Sequence, residues 1–219
     1  MKTATAIRNK VEKASPGTLF SIDDFVSDDL KHKRETVKVT LHRLATKGVL
    51  TRARRGLYWK SARSRFGSGR PLIEDVVVKV GEGKGTGPTG WLASHTLGLT
   101  TQIPAKPEFV IVGGVPRAIP GALFHTRVNP KRAALTFDEV ALLEVLRNWP
   151  RYVDGSWPDL VGAVRHLNAD HRINLRRTAD VARYERPHVL RERLTRLRHD
   201  IDALSIGDTS GPVAEDVHK

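Results

Sequence analysis

Between Lys31 and Arg65 the chain carries twelve Lys or Arg residues and one acid, Glu35. Ammonium and guanidinium groups at this density suit one kind of chemistry. They pair with phosphate oxygens and, where a rigid element holds them, donate hydrogen bonds to base edges. Within the stretch the cations fall into two groups, Lys33, Arg34, Lys38 and Arg43, then Arg52, Arg54, Arg55 and Lys60. Each group needs a different scaffold.

The first group lies on a helical pattern. Val37, Leu41, Leu44 and Ala45 follow the i, i+4, i+7, i+8 stripe of a buried helix face. The helix starts near Lys33 or Arg34, and Gly48 serves as its C-cap. At about 100° per residue, the outer arc holds Glu35, Thr36, Val39, His42, Arg43 and Thr46, with Lys38 at its margin. The N-terminal half of such a helix enters a major groove most deeply. Lys33, Arg34, Thr36 and Val39 are therefore placed near base edges, and Arg43 on guanine or phosphate. The second group decorates a hairpin. Residues 49–53 and 57–60 read as strands around an Arg54-Arg55-Gly56 tip, with Gly56 where φ must be positive. Arg52, Arg54, Arg55 and Lys60 suit phosphate or minor-groove contacts, because they bring charge with little shape selectivity.

The elements before this stretch complete a small domain. Residues 3–14 read as a helix with Ala6, Ile7 and Val11 on one face, stopped by Pro16-Gly17. Residues 18–20 are extended. Ser21 caps a short second helix whose first turn carries Asp23 and Asp24. Leu19, Ile22, Phe25 and Leu30 plug the core. The order suggests a winged helix-turn-helix over residues 1–66.

The whole chain has 219 residues, a formal charge of +13 and no cysteine. Residues 1–70 hold 17 basic and 6 acidic residues, a net of +11; the other 149 hold 20 and 18, a net of +2. Charge concentrated in this way suggests one docking surface for a polyanion. The lack of cysteine excludes disulfides, thiolate nucleophiles and Cys-ligated zinc. The N-terminus lacks the apolar core of a signal peptide, and no run of about 18 apolar residues is present. A soluble, cytoplasmic protein with no membrane partner is expected.

Residues 61–70 are small, basic and glycine-rich, and read as a linker. A second domain over residues 71–204 follows. Residues 75–80 (DVVVKV) and 108–112 (EFVIV) resemble buried strands, with 122–128 a weaker third. A short helix is expected at 90–97, and longer ones at 136–149, 157–167, 178–183 and 187–204. In the last of these Leu190, Leu194, Leu197 and Ile201 form a stripe that reads as core; if exposed, it is the preferred dimer or partner contact. Residues 205–219 are polar and expected to fray. The predicted class is α+β: an N-terminal winged helix-turn-helix, then a C-terminal domain with a small sheet and several helices.

Other apparent chemistry fails on spacing. Residues 81–87 (GEGKGTG) follow an expected strand, yet Lys84 is followed by Gly85 rather than Ser or Thr, and Pro88 intervenes before the helix. A phosphate loop needs the lysine and hydroxyl adjacent at the helix start, so a flexible connection is expected. The nine histidines show no metal-ligand spacing. His166, Asp170 and His171 read as a surface cluster at a helix end, and Ser94-His95 as neighbours that point apart. No catalytic residue, cofactor or metal is predicted, and the protein is not expected to be an enzyme.

Residues 87–106, GPTGWLASHTLGLTTQIPAK, resemble the AbiEi-type antitoxins, partners of nucleotidyltransferase-like toxins in bacterial toxin–antitoxin pairs. The shared elements are Pro88-Thr89-Gly90, Leu97-Gly98-Leu99, Thr100 to Lys106, and residues 129–135 (NPKRAAL). The first domain agrees, through Glu35-Thr36-Val37, Leu41, Arg43-Leu44, Gly48 and Arg55-Gly56-Leu57-Tyr58. The resemblance implies an antitoxin that binds inverted repeats in promoter DNA, represses its own operon and counteracts a cognate toxin. A homodimer on DNA is the natural state for such repeats. Two other readings stay open: a protein-interaction module that neutralises a toxin by contact without DNA, and a general transcriptional regulator. The segment Gln102-Ile103-Pro104-Ala105 reads as a stiffened connection rather than a binding element.

Overall fold

The computed structural model describes residues 3–26, 33–61, 63–64, 67–116 and 119–207. Leu30, Lys31, His32, Arg65 and the tail from residue 208 lie outside the described residues. Eight α-helices and two three-stranded sheets are present among the described residues, an α+β chain. It divides into two compact units, residues 1–80 and 81–219.

In the first unit α1 (Thr3–Lys13) is followed by β1 (Leu19–Ser21), a 3-10 turn (Asp23–Phe25), α2 (Arg34–Thr46), β2 (Thr51–Arg54) and β3 (Leu57–Trp59). The sheet order is β1-β3-β2, antiparallel throughout. Ile7 and Val11 of α1 meet Val37, Leu41 and Leu44 of α2, with Phe20, Leu50 and Tyr58 closing the core. Phe20 is buried and Leu19 half-buried, because neighbours along a strand face opposite ways. Among the described residues the expected second helix is represented by the 3-10 turn Asp23–Phe25. Its entry is still capped as Ser21 and Asp24 imply: the Asp24 amide donates to Ser21 Oγ at 3.3 Å and the Ser21 amide to Asp24 Oδ2 at 2.7 Å. Short antiparallel strands β4 (Arg63–Ser64) and β5 (Gly67–Ser68) occupy part of the expected linker.

The segment read as a strand at 75–80 is instead the end of helix α3 (Ile73–Val80). Its β-branched composition favours a strand, but Val76 and Val77 are buried while Asp75 and Val78 are exposed. That is the arc of a helix face, not alternation. Pro71 before it and Glu74 and Asp75 in its first turn suit a helix start. Because α3 packs on β1, the break between units falls after Val80, beyond the glycine-rich stretch.

The second unit contains β6 (Gly87–Pro88), α4 (Gly90–Thr96), β7 (Glu108–Val112), β8 (Leu123–Arg127), a 3-10 turn (Pro130–Ala134), and α5 (Phe137–Asn148), α6 (Trp157–Ala169), α7 (Leu175–Ala182) and α8 (His188–Gly207). The sheet order is β6-β7-β8, with β7 antiparallel to β6 and parallel to β8. Phe109, Val110 and Ile111 of β7 are fully buried. Helix α5 is the centre of the helical part, buried from Glu139 to Leu146. Its start is fixed by a capping box in which the Thr136 amide donates to Glu139 Oε2 at 2.9 Å. The α8 stripe Leu190, Leu194, Leu197 and Ile201 is buried in this core, so it offers no partner contact. Helix α8 also runs through Gly207, into the stretch expected to fray.

A charged knot joins the sheet side of this unit to its helices. Arg132 Nη1 donates to Glu144 Oε1 at 2.7 Å and Arg132 Nε to Glu185 Oε1 at 2.7 Å, and the Arg132 side chain is 0 % exposed. Arg127 reaches the same Glu144, Arg147 the same Glu185, and Asn129 Nδ2 donates to Glu185 at 2.8 Å. Burial works to raise Glu144 and Glu185, yet hydrogen bonds and charge from the surrounding arginines hold both below the ordinary carboxylate value.

Candidate nucleic-acid interface

Helix α2 buries Val37, Thr40, Leu41 and Leu44. Everything expected on its outer arc is exposed: Glu35, Thr36, Lys38, Val39, His42, Arg43 and Thr46. Thr36, Val39 and Arg43 follow one another at i, i+3 and i+7, so they share one side of the helix. Val39 is an apolar side chain with 39 % of its surface in solvent. Apolar groups in such a position contact thymine methyls when a helix lies in a major groove.

The cations divide by what they already hold. Arg34 Nη1 pairs with Asp23 Oδ1, and Lys38 Nζ lies 3.3 Å from Glu35; all four side chains are more than half exposed. Such pairs exchange readily for a stronger anion, since exposed ion pairs contribute at most about 1 kcal/mol. Asp24 is occupied by Lys79 at 2.6 Å. Arg43, Arg52 and Arg55 are exposed with no acidic partner among the described residues. Lys33 precedes the helix and is half-buried.

The hairpin turns at Arg55-Gly56, where Gly56 has φ 79°, a conformation that side chains strain to adopt. The β2–β3 register shifts between Arg52 and Arg54, leaving Ala53 as an extra residue. Arg52 and Arg55 are consequently exposed while Arg54 is half-buried, with its Nη1 sealed from solvent and lacking an acceptor among the described residues. Arg54 is thus only partly available.

Lys60 does not belong to this surface. Its Nζ donates to the carbonyls of Val11 at 2.9 Å, Glu12 at 2.7 Å and Ala14 at 2.7 Å. The ammonium satisfies the open C-terminal carbonyls of α1 and faces the negative end of that helix, so it is engaged within the unit rather than free for a phosphate. Lys47, exposed just past α2 with no acidic partner among the described residues, takes its place among the available cations. Its position in Thr46-Lys47-Gly48, at the helix end, was the signal for it.

The other sequence features are structural. The stretch 81–87 is not a loose connection and does not follow a strand. A Cβ on Gly85 would stand 2.5 Å from the Arg132 Cβ and 2.6 Å from its carbonyl carbon, and one on Gly87 2.4 Å from the Val140 Cβ. These glycines let backbone pack against the 3-10 turn and α5. His166 lies 3.3 Å from Asp170, with both side chains at least half exposed. No group of three or more His, Asp or Glu that could hold a metal occurs among the described residues. In the segment after α4, Thr100 Oγ1 and Gln102 Nε2 both donate to Asp154, while Ile103 is 75 % exposed. No helix among the described residues is long and apolar enough to cross a membrane.

No curated protein matches the chain. A crystal structure of the RV2827C protein from Mycobacterium tuberculosis is similar with a TM-score of 0.39 and 14% identity, covering 93% of this chain and 77% of that one. A family model matches residues 6–132, from α1 through both candidate DNA-facing elements to Arg132. On that match, which spans more than half of its length, the chain belongs to DUF6088, a family of unknown function.

Proposed function

We propose that the first unit is a winged helix-turn-helix that binds duplex DNA, with α2 in the major groove and the β2–β3 hairpin as the wing. The observation that carries this is the pairing of two faces. Thr36, Val39 and Arg43 lie exposed on one side of α2, and Arg52 and Arg55 lie exposed on the hairpin without acidic partners among the described residues. The order helix, strand, turn, helix, hairpin with sheet order β1-β3-β2 fits the motif. Base selection falls to Thr36, Val39 and Arg43, with Arg34 and Lys38 joining once their exposed carboxylate partners are displaced. Arg52, Arg55 and Lys47 supply salt-sensitive affinity.

At the level of biology, the reading is an autorepressing antitoxin, supported by the resemblance of residues 87–106 and 129–135 to AbiEi-type proteins. One winged helix gives modest discrimination, so two copies on an inverted repeat are required for useful specificity. The decisive experiment is footprinting of the DNA upstream of the gene with the full chain. Protection of an inverted repeat that disappears in Arg43→Ala/Arg55→Ala is the expected result. Absence of protection at about 50 mM salt, where phosphate contacts are strongest, rejects it.

A further inference from the structure

We infer that a groove between α7 and α8 in the second unit is another polyanion site, one that holds the phosphodiester backbone of a nucleic acid without reading its sequence. It does not depend on the role proposed for the first unit. Two cavities share Arg198 in their walls. One, of about 520 Å³, is lined by His171, Arg176 and Arg198 with a single acid, Asp202; the other, of about 310 Å³, is lined by Arg183, Arg191 and Arg198.

Some of these guanidiniums are already engaged. Arg191 donates to the carbonyls of Glu185 and Arg186, and Arg183 leans on Asp180 at 3.4 Å with both side chains more than half exposed. Arg176 and Arg198 are exposed and have no partner among the described residues. Among the described residues no carboxylate pairs with Arg198, which the two cavities share, although Asp202 lines one of them.

Charge alone fits an acidic protein as well as a nucleic acid, and the lining decides between them. Protein anchors need exposed apolar or aromatic area. Here the walls contain no Phe, Tyr or Trp, and of the large apolar residues Ile173 and Leu194 are buried and Leu175 is half-buried, which leaves little apolar area for an anchor. The cations also form rows. Arg176 on α7 and Arg183 at its C-cap, and Arg191 and Arg198 on α8, are each seven residues apart, about 10.5 Å of helix. A nucleic-acid backbone presents a phosphate at every nucleotide and needs no apolar anchor, so guanidiniums spaced along a groove can track it. Irregular carboxylates on a protein surface offer no such repeat.

The test uses the full chain as wild type, Arg176→Gln/Arg198→Gln and Asp202→Asn. Fluorescence anisotropy follows binding to random-sequence DNA and RNA duplexes from about 50 to 200 mM salt. Removing two phosphate ligands should flatten the log–log salt slope by about 1.8 and weaken binding roughly tenfold. Asp202→Asn should tighten binding, a gain that misfolding cannot produce. The loss should persist in an Arg43→Ala/Arg55→Ala background, which separates this site from the first unit. Unchanged slopes in the double variant overturn the inference. So does a variant that loses affinity for poly-glutamate while keeping it for both duplexes, since the groove would then take acidic protein. A loss on one duplex type alone keeps the inference and names the nucleic acid.

Discussion

Lys60 Nζ stands 2.7 Å from the carbonyl oxygen of Glu12, and the same ammonium reaches Val11 and Ala14. A cation at the foot of the hairpin thus closes the end of α1. Lys60→Ala should lower stability by about 1 kcal/mol, the usual scale for a missing helix cap or dipole partner. The salt slope of DNA binding should stay unchanged. Thermal denaturation alongside a salt titration checks both halves, and a flattened slope with unaltered melting would reverse the assignment.

Arg55→Ala is expected to behave in the opposite way. The side chain is exposed at the hairpin tip, so melting should be unaffected. Removing one phosphate ligand lowers the slope of log affinity against log salt by about 0.9. Arg43→Ala should do the same if it holds phosphate. If it reads guanine instead, the loss should be about 1–3 kcal/mol and confined to the specific site.

Glu144→Gln should be far more damaging than any surface change. It leaves Arg127 without its carboxylate, and Arg132 and Arg147 with Glu185 alone. Removing one partner of a buried ion pair costs about 3–5 kcal/mol. Urea denaturation followed by tryptophan fluorescence measures it; a change below about 1 kcal/mol would mean that the knot is not the clamp described.

The same carboxylates set an acid limit. Glu144 and Glu185 are held below the ordinary value of 4.5 by Arg127 and Arg132, against the upward push of burial. The unfolded chain therefore binds more protons than the folded one near that value. The stabilisation is complete above about pH 4.5 and is lost as pH falls through the depressed folded values. Melting temperature should vary little between about pH 7 and 5 and then drop, and Glu144→Gln should show a shallower drop.

Gly85→Ala tests the packing of the loop before β6. Its Cβ would overlap the Arg132 backbone at 2.6 Å, and the residue has φ 56°. A loss of more than about 2 kcal/mol is expected from overpacking and the backbone conformation together. Gly83→Ala, with open space around it, should lose only about 1 kcal/mol through its positive φ.

Much of this architecture could be read from the chain because its signals are local. The stripe Val37, Leu41, Leu44 marks α2, the pair Thr36 and Val39 falls on its outer side, and the change to a helical period at Thr136 marks the start of α5. Misreadings arose where local and distant terms conflict. Residues 75–80 are β-branched enough to suggest a strand, yet they form a helix that buries Val76 and Val77 and packs on β1, more than fifty positions earlier. The fate of Lys60 depends on carbonyls 46 to 49 residues away, and no spacing rule reaches that far. The glycines of 81–87 suggest a slack connection; only the approach of Arg132 reveals them as fitted parts.

Arg132 is the last residue of the stretch matched by the family model, and both carboxylates that hold it come later in the chain. A fragment expressed to that border would strand a desolvated guanidinium and lay bare the apolar strand Phe109-Val110-Ile111. The limit of sequence kinship is therefore not a limit of autonomous folding. The shortest soluble piece of the second unit must continue past Glu185 and through the leucines of α8, and deletion series should be cut there.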